Sequence, residues 1–292
     1  MNKREALPTA PSASFRERGL LEQAGEQFSR TALPPGARAW LKTIYYRALM
    51  AQTLGRGLPS ALPHGEVVRV HPAHRYMSWN PCEYEAFRSV IRPGMVALDV
   101  GANVGSYAIL LGQWVGAGGK VFAFEPASAV HAGLVEHIGL NQLKDIVHPV
   151  AAAVGDQEGL APFVAASTAG EGRLASSSEF SSGSVRMVTI DAFCQAQRIN
   201  PDFIKIDVEG WELSALRGAR ETIRRNRGRL ALFVEMHPSL WPLLGITKEE
   251  ILAELHAQSL RIAPLGHSDD VWSIEGECVR LLDAGSEDPA FI

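Results

Sequence analysis

Residues 95–105 read MVALDVGANVG, and this stretch decides the fold. Its first six residues form an apolar run interrupted only by Asp99, which is typical of a strand buried on both faces. Glycine follows at positions 101 and 105, where the chain can turn sharply and come close to a ligand. We predict a strand that ends at Val100, a glycine-bearing turn, and a helix that continues through Trp114.

Outward from this stretch, apolar strand-like runs alternate with helical patterns. The predicted strands are residues 120–125, 145–154, 203–207 and 230–235, with closing strands at 261–265 and 271–274, and the predicted helices are 128–141, 190–198, 212–225 and 247–257. Thr247 and Glu250 have the spacing of a capping box. The alternation predicts a Rossmann-like α/β fold, a doubly wound and mainly parallel sheet of seven strands. Ligands bind such sheets at the carboxyl ends of the strands.

The glycine loop differs from the dinucleotide fingerprint GxGxxG. The second and third glycines of that motif would fall on Asn103 and Ser106, where a pyrophosphate needs close backbone approach. The spacing suits a smaller group, such as the methionine end of S-adenosylmethionine. Glu125 ends the next strand, where a carboxylate accepts hydrogen bonds from both ribose hydroxyls and repels a 2′-phosphate. Asp99 is placed to meet the amino group of the ligand, so we predict S-adenosylmethionine as the cofactor.

Acidic residues and one histidine follow two later strands, at the same predicted edge. Asp207 and Glu209 follow one strand, and Glu235 and His237 follow the next. An alcohol accepts a methyl group only after a base removes its proton or a metal lowers its pKa. His237 is the predicted general base, oriented by Asp207 or Glu235. The same four side chains are the expected ligands if a divalent metal is bound, although nothing in their spacing requires one.

Three neighbours of this cluster have predicted structural roles. Lys205 lies inside an apolar strand, and because a buried lysine needs a partner, we predict an ion pair. Gly210 is expected to permit the tight turn into the following helix. Trp211 is expected to pack against apolar residues.

Composition limits the class of protein. The chain has 292 residues, 46% of them hydrophobic and 21% charged, and a net charge of -4, which is typical of a globular protein without a nucleic-acid partner. The cysteines, at positions 82, 194 and 278, are far apart and lack metal-ligand spacing. No apolar run approaches the ~18 residues of a membrane span, and the amino terminus lacks the apolar core of a secretory signal. We predict a cytoplasmic protein with no membrane partner.

Three motifs together resemble the FkbM-type S-adenosylmethionine-dependent methyltransferases. They are LDVGANVGSY at residues 98–107, FEP at 124–126 and IKIDVEGWE at 204–212, and FVEMHP at 233–238 fits the same pattern. The resemblance covers about residues 75–265. The glycine loop alone is common to methyltransferases, whereas the 204–212 motif is much more particular to this family.

The resemblance implies a class I methyltransferase that methylates a hydroxyl oxygen, often on a sugar or a polyketide-type natural product. It implies that the cofactor site is lined by Asp99, Gly101, Asn103, Gly105 and Glu125. Residues 152–156, which include Asp156, are expected to border the adenine, and Asp207 is assigned to both the cofactor-binding and the catalytic set. The family accepts varied substrates, so the resemblance does not identify the acceptor.

The chain is divided into three predicted parts. Residues 1–14 form a disordered tail, residues 15–90 a helical cap and linker that is a candidate for acceptor recognition, and residues 91–292 the methyltransferase domain. Within the cap, Trp40, Ile44, Tyr45 and Leu49 recur near helical spacing and predict one buried face. The Ser- and Gly-rich residues 155–187 are expected to contain an antiparallel hairpin or a mobile loop.

Other functions stay open at this point. An N- or C-methyltransferase would use the same cofactor and need less base catalysis for a nitrogen acceptor. A non-catalytic binding partner could keep the fold, and the loop spacing disfavours a dehydrogenase. A nucleic-acid methyltransferase is disfavoured because the chain lacks an Asn-Pro-Pro-Tyr-type motif and a basic excess. The leading prediction is a small-molecule O-methyltransferase, with the oligomeric state open and a homodimer as one alternative.

Overall fold

The computed structural model describes residues 35–164, 173–174, 183–265 and 271–285. The chain divides into two compact units between Glu85 and Ala86. The predicted tail, residues 1–14, and the first part of the predicted cap, residues 15–34, lie outside the described residues. Among the described helices, none combines the length and the apolarity needed to cross a bilayer.

The first unit contains a helix followed by a β-hairpin. Helix α1 is Pro35–Gln52, and strands β1, Leu58–Ala61, and β2, Val67–Val70, pair antiparallel. No strand was predicted over residues 58–61. Proline and serine in the middle of β1 have low strand propensity and concealed it.

The buried face predicted for the first helix is incomplete. Leu49 is buried, whereas Trp40 and Ile44 are exposed. Later in this unit, the Arg75 guanidinium lies 4.3 Å from the centre of the Tyr76 ring. The predicted role of residues 15–90 in acceptor recognition stays a prediction.

The second unit is built from alternating strands and helices. Its strands in chain order are β3 (Val96–Val100), β4 (Lys120–Phe124), β5 (Val147–Val150), β6 (Ala153–Val154), β7 (Gly159–Val164), β8 (Arg173–Leu174), β9 (Gly183–Val188), β10 (Phe203–Ile206), β11 (Ala231–Met236), β12 (Leu260–Pro264) and β13 (Glu277–Asp283). Its helices are α2 (Pro81–Val90, which begins before the boundary), α3 (Ser106–Val115), α4 (Ser128–Leu140), α5 (Ile190–Gln197), α6 (Glu212–Arg217), α7 (Arg220–Arg225) and α8 (Lys248–Ala257).

A seven-stranded sheet has the order β12-β13-β11-β10-β3-β4-β5. The neighbours from β11 to β5 are parallel, and β13 is antiparallel to both β11 and β12. This confirms the predicted Rossmann-like, mainly parallel sheet. Because the parallel strands all point the same way, β3, β4, β10 and β11 end at one edge, where the candidate site lies.

Helices cover both faces of this sheet, so its central strands are mainly apolar, with the exceptions of Asp99 in β3 and Lys205 in β10. On one face, the ring of Phe87 in α2 packs edge-on against Phe203 and Phe233, with ring centres 5.3 and 4.8 Å apart. On the other face, Ile204 and Leu232 belong to a large buried apolar cluster. Side chains alternate along a strand, so Lys205 points to the same face as Phe203.

The predicted strand at residues 145–154 is two strands in two sheets. β5 pairs with β4, whereas β6 pairs in parallel with β9 of a second sheet, which has the order β6-β9-β7-β8. The Ala152 N–H donates to the Val150 carbonyl at 2.9 Å, closing the turn between them. For residues 155–187 a hairpin or a mobile loop was predicted, and the structure agrees with the hairpin: the consecutive strands β7 and β8 pair antiparallel, and β9 pairs antiparallel with the other side of β7. Residues 165–172 and 175–182 lie outside the described residues.

Two further predictions need correction. The predicted helix 212–225 is interrupted between α6 and α7, where a β-carbon on Gly218 would lie 1.9 Å from the carbonyl oxygen of Gly155. The predicted closing strand at 271–274 is wrong, and β13 takes that place. Arg280 interrupts the apolar pattern of β13, so the sequence did not indicate a strand there. In the structure, the Arg280 guanidinium lies 5.8 Å from the centre of the Phe233 ring. The capping box of Thr247 and Glu250 is confirmed.

Candidate active site

The loop after β3 is folded by its backbone conformation. Gly101, Asn103 and Gly105 have φ angles of 84°, 51° and 94°. These left-handed values suit glycine, and asparagine is among the few other residues that tolerate them. The Asn103 side-chain oxygen accepts a hydrogen bond from the Val104 N–H at 2.7 Å. Local geometry therefore accounts for the residue types at all three positions.

Close contacts with two neighbouring strand ends hold this loop in place. The N–H groups of Gly101 and Ala102 both donate to the carbonyl of Phe124, at 3.1 and 2.8 Å. On its other side, a β-carbon on Gly101 would lie 1.7 Å from the carbonyl oxygen of Asp207. Only glycine fits there, so the loop passes directly between the ends of β4 and β10.

Glu125 lies against this loop, as the sequence predicted for a ribose-binding carboxylate. It is 8% exposed, and its carboxylate accepts hydrogen bonds from the N–H groups of Asn103 and Ala127, at 3.1 and 2.8 Å. Burial raises the pKa of this carboxyl to about 7, and the two backbone donors limit the rise. An ionised carboxylate has further acceptor positions for two ribose hydroxyls.

The other predicted cofactor residues have different settings. Asp99 is buried in β3, in register with Ala123 on one side and Lys205 on the other. Asp156 is exposed and follows β6 of the second sheet, and its N–H donates to the hydroxyl of Ser214 at 3.0 Å. The roles assigned to Asp99 and Asp156 stay predictions.

The structure brings the four predicted catalytic or metal-ligating side chains together. His237 follows β11, and its Nε2 lies 3.8 Å from Asp207 Oδ1, 3.6 Å from Glu209 Oε2 and 3.8 Å from Glu235 Oε1. We call these four residues the acidic cluster. They meet because β10 and β11 are parallel neighbours with Ile206 opposite Val234, so their ends coincide.

A fifth residue, Glu212, orients the histidine. Glu212 is fully buried, and its carboxylate accepts hydrogen bonds from His237 Nδ1 at 2.7 Å, Trp241 Nε1 at 2.8 Å and the Gly210 N–H at 2.9 Å. The expectation that Asp207 or Glu235 would hold this ring nitrogen is therefore wrong. Glu212 is part of the 204–212 motif. Acidic residues are common in the first turn of a helix, so its position in the sequence does not indicate that it holds a histidine.

Lys205 forms the predicted ion pair. Its Nζ is 2.7 Å from Asp207 Oδ2 and 3.9 Å from Glu235 Oε2, and the residue is 2% exposed. Each of these two carboxylates thus turns one oxygen towards the lysine and the other towards His237. The expected roles of Gly210 and Trp211 also agree with the structure, since Gly210 has a φ of 93° and Trp211 packs on a small apolar cluster.

Protonation in the cluster follows from these contacts. Burial favours the neutral imidazole, but the hydrogen bond and charge of Glu212, with the charges of Asp207 and Glu209, raise the pKa of His237 to about 9. Burial opposes ionisation of Asp207, yet Lys205 and His237 hold its pKa below the ordinary value. Burial raises the pKa of Glu209. The imidazole therefore holds a proton at neutral pH, which works against a general-base role in this state.

Comparison with known proteins gives one matching family and several solved structures of low sequence identity. A family model described as the Methyltransferase FkbM domain matches residues 99–261. A search of curated proteins finds no match. An FkbM methyltransferase from Methylobacillus flagellatus KT is 22% identical, with a TM-score of 0.44, over 68% of this chain and 50% of that one. The chain thus spans half the length of that relative.

Two further solved structures are more distant in sequence. An S-adenosylmethionine-dependent O-methyltransferase from Thermotoga maritima is 12% identical, with a TM-score of 0.44, over 81% of this chain and 82% of that one. Fibrillarin from Aeropyrum pernix, with bound S-adenosyl-L-methionine, is 14% identical, with a TM-score of 0.42, over 77% of this chain and 93% of that one.

The family match covers both the glycine loop and the acidic cluster. Its bounds, residues 99–261, include the glycine loop, Glu125, Glu212 and the acidic cluster, and they span more than half of the chain. This match confirms the predicted family. Methyl transfer by this chain and S-adenosylmethionine as its methyl donor stay predictions. The chain belongs to the FkbM methyltransferase family.

Proposed function

We propose that this protein is an O-methyltransferase that methylates a hydroxyl of a small molecule. The observation that supports this most is the meeting of His237 with Asp207, Glu209 and Glu235 at the strand edge next to the glycine loop. A hydroxyl oxygen is a poor nucleophile until it loses its proton, so its methylation needs proton acceptors beside the methyl donor. The acidic cluster supplies them.

The residues near the glycine loop fit a nucleoside cofactor. Gly101 and Gly105 leave the backbone bare, and Glu125 offers acceptors for the ribose. When bound, S-adenosylmethionine supplies an electrophilic methyl group on a positively charged sulfur. In the proposed arrangement, Asp99, Gly101, Asn103, Gly105, Glu125 and Asp156 line the cofactor, with Asp207 between cofactor and acceptor.

The acidic cluster orients the acceptor and takes its proton. One carboxylate, that of Asp207 or Glu235, would accept the hydrogen bond of the acceptor hydroxyl and take its proton as the methyl group passes from sulfur to oxygen. His237 is held by Glu212 and positions the neighbouring carboxylates, and it acts as a base only after losing its own proton. Alignment of oxygen, methyl carbon and sulfur supplies the rest of the rate enhancement.

We further propose a sugar or a polyketide-type product as the acceptor. This rests on the family, and it agrees with a cluster of several hydrogen-bond acceptors, which suits a molecule with more than one hydroxyl. The cytoplasmic location and the lack of a nucleic-acid partner stay predictions, and no oligomeric state is assigned.

A second candidate is N-methylation of an amine. The excess of carboxylates in the acidic cluster would also attract a protonated amine. Such an acceptor would bind as the cation and lose a proton before transfer, and it would need weaker base catalysis than a hydroxyl.

The test uses S-adenosylmethionine labelled with ¹³C in its methyl group and a panel of sugars, hydroxylated polyketides and amines. The carbon chemical shift of the labelled product distinguishes a methyl group on oxygen from one on nitrogen or carbon. Asp207→Asn should abolish transfer, whereas Glu249→Gln, which removes an exposed charge elsewhere, should leave it unchanged. Methylation of amines alone would overturn the proposal.

A further inference from the structure

The acidic cluster has the geometry of a cation site. Asp207, Glu209 and His237 each offer one ligand atom, and these atoms lie within 4.8 Å of one another. Donor atoms that bind one ion through bonds of about 2.0–2.2 Å lie about 3–4 Å apart. The separations of His237 Nε2 from Asp207 Oδ1 and Glu209 Oε2, 3.8 and 3.6 Å, fall in that range.

Direct hydrogen bonding explains these distances poorly. Nitrogen–oxygen hydrogen bonds are 2.7–3.2 Å long. His237 is 4% exposed, and its Nε2 points between three carboxylates that all lie 3.6 to 3.8 Å away. One N–H group cannot bond to all three, whereas an ion placed between the donors contacts several at once.

The setting of the histidine is a second, independent indication. Nδ1 of His237 donates to the fully buried carboxylate of Glu212 at 2.7 Å, which fixes Nε2 in its direction. Metal-bound histidines usually have such a carboxylate partner on the other ring nitrogen, because it fixes the ring and strengthens the ligand. Glu212 is itself held by Trp241 and Gly210, so the ring is oriented before any ligand arrives.

Charge points the same way. Four carboxylates, those of Asp207, Glu209, Glu212 and Glu235, lie within 3.8 Å of His237. Lys205 pairs with two of them, Asp207 and Glu235. Lys205 takes Oδ2 of Asp207 and leaves Oδ1 facing the histidine. Partly buried like charges repel, and a divalent cation would offset that repulsion.

We propose that Asp207, Glu209 and His237 bind one divalent cation, which takes the place of the proton on His237 Nε2 and releases it to solvent, with Glu212 as the residue that positions the histidine. Two carboxylates and one imidazole suit an ion such as Mn²⁺ or Mg²⁺, which leaves positions for other oxygen ligands. A bound divalent ion lowers the pKa of a hydroxyl or water that it contacts. That catalytic use rests on the proposed methylation of a hydroxyl, whereas the site itself does not.

The test is a titration of the full chain with Mn²⁺, in which free Mn²⁺ is followed by electron paramagnetic resonance. We expect one site per chain, weakened at least about tenfold by Glu209→Gln. Glu249→Gln is the matched control, since it removes one exposed carboxylate from α8, and its affinity should equal that of the unchanged protein. Electron spin echo spectra should show coupling to an imidazole nitrogen, and this coupling should vanish in His237→Gln.

Absence of a stoichiometric site at millimolar Mn²⁺, equal affinity in Glu209→Gln, or the lack of nitrogen coupling would overturn the metal site. Thermal unfolding identifies any variant that fails to fold. In that case, the coupling of Mn²⁺ to an imidazole nitrogen in the unchanged protein decides whether the metal site exists. The two proposals fail differently. If a hydroxyl is fully methylated in the presence of a chelator and Mn²⁺ does not bind, only the proposed metal site is overturned. If Mn²⁺ binds and only amines are methylated, only the proposed O-methylation is overturned.

Discussion

The glycine loop and the acidic cluster lie at the same edge of the sheet but are held in different ways. Residues 101–105 are fixed by left-handed φ angles and by backbone hydrogen bonds to Phe124. The acidic cluster is fixed by side chains, chiefly the hydrogen bonds that Glu212 accepts from His237 and Trp241. Backbone geometry thus builds the proposed cofactor half of the site, whereas the proposed acceptor half depends on contacts between side chains. Substitutions should therefore damage the two halves by different routes.

Glu212→Ala should have the largest effect on stability. It leaves the buried donors of His237, Trp241 and Gly210 without their acceptor, and breaking such a network costs about 3–5 kcal/mol. Urea unfolding measures this loss. Glu212→Gln keeps one acceptor oxygen and should lose less.

The same variant tests how separate the two halves are. At a temperature where Glu212→Ala is folded, its affinity for S-adenosylhomocysteine should stay within about threefold of the unchanged protein, a difference under 1 kcal/mol. A loss of stability below about 1 kcal/mol would show that Glu212 does not hold the cluster together.

Gly101→Ala should damage the cofactor half. Its β-carbon would overlap the Asp207 carbonyl, so the backbone must move, which adds about 1–3 kcal/mol to the strain of a left-handed alanine. We expect no stabilisation by S-adenosylhomocysteine, measured as the shift in melting temperature. Gly228→Ala is the control, because Gly228 has a similar φ of 78° and open space around it. Equal behaviour of the two variants would mean that the close approach to Asp207 is unimportant.

The extent to which the sequence predicted each half follows from the same contrast. The glycine loop could be predicted because each residue is constrained by its own φ angle, although the close approach of Gly101 to the Asp207 carbonyl could not. The members of the acidic cluster could be predicted because parallel strands end at one edge. The role of Glu212 could not, since its partners His237 and Trp241 are separated from it by 25 and 29 residues and are set by packing. Likewise, β13 was missed because its arginine is stabilised by a ring on another strand.

The pKa of Glu125 gives the loop a pH dependence. Burial raises this pKa from 4.5 to about 7, so below pH 7 the carboxyl is mostly protonated. Ribose hydroxyls donate hydrogen bonds, which favour the ionised form, so binding of S-adenosylhomocysteine should release a proton. Affinity should rise with pH up to about 7, by as much as tenfold per pH unit, and then level off.

Calorimetry in buffers with different ionisation enthalpies measures this proton release directly. Glu125→Gln is the matched variant, since it keeps the shape of the side chain and cannot ionise. Its affinity should be lower at pH 8 and independent of pH between 5 and 8. A slope that persists in Glu125→Gln would assign the proton to another group.

Asn103→Gly should have the smallest effect, and it tests whether the loop works through its backbone alone. Asn103 was predicted to bind the cofactor, but its φ of 51° and its hydrogen bond to the Val104 N–H give it a conformational role. Glycine adopts this φ without strain, so affinity for S-adenosylhomocysteine should fall by less than about threefold. Asn103→Ala, which must adopt a left-handed φ, should lose about 1–2 kcal/mol of stability. If both variants lose affinity equally, the asparagine side chain itself contacts the cofactor, and the cofactor half depends on side chains as the acidic cluster does.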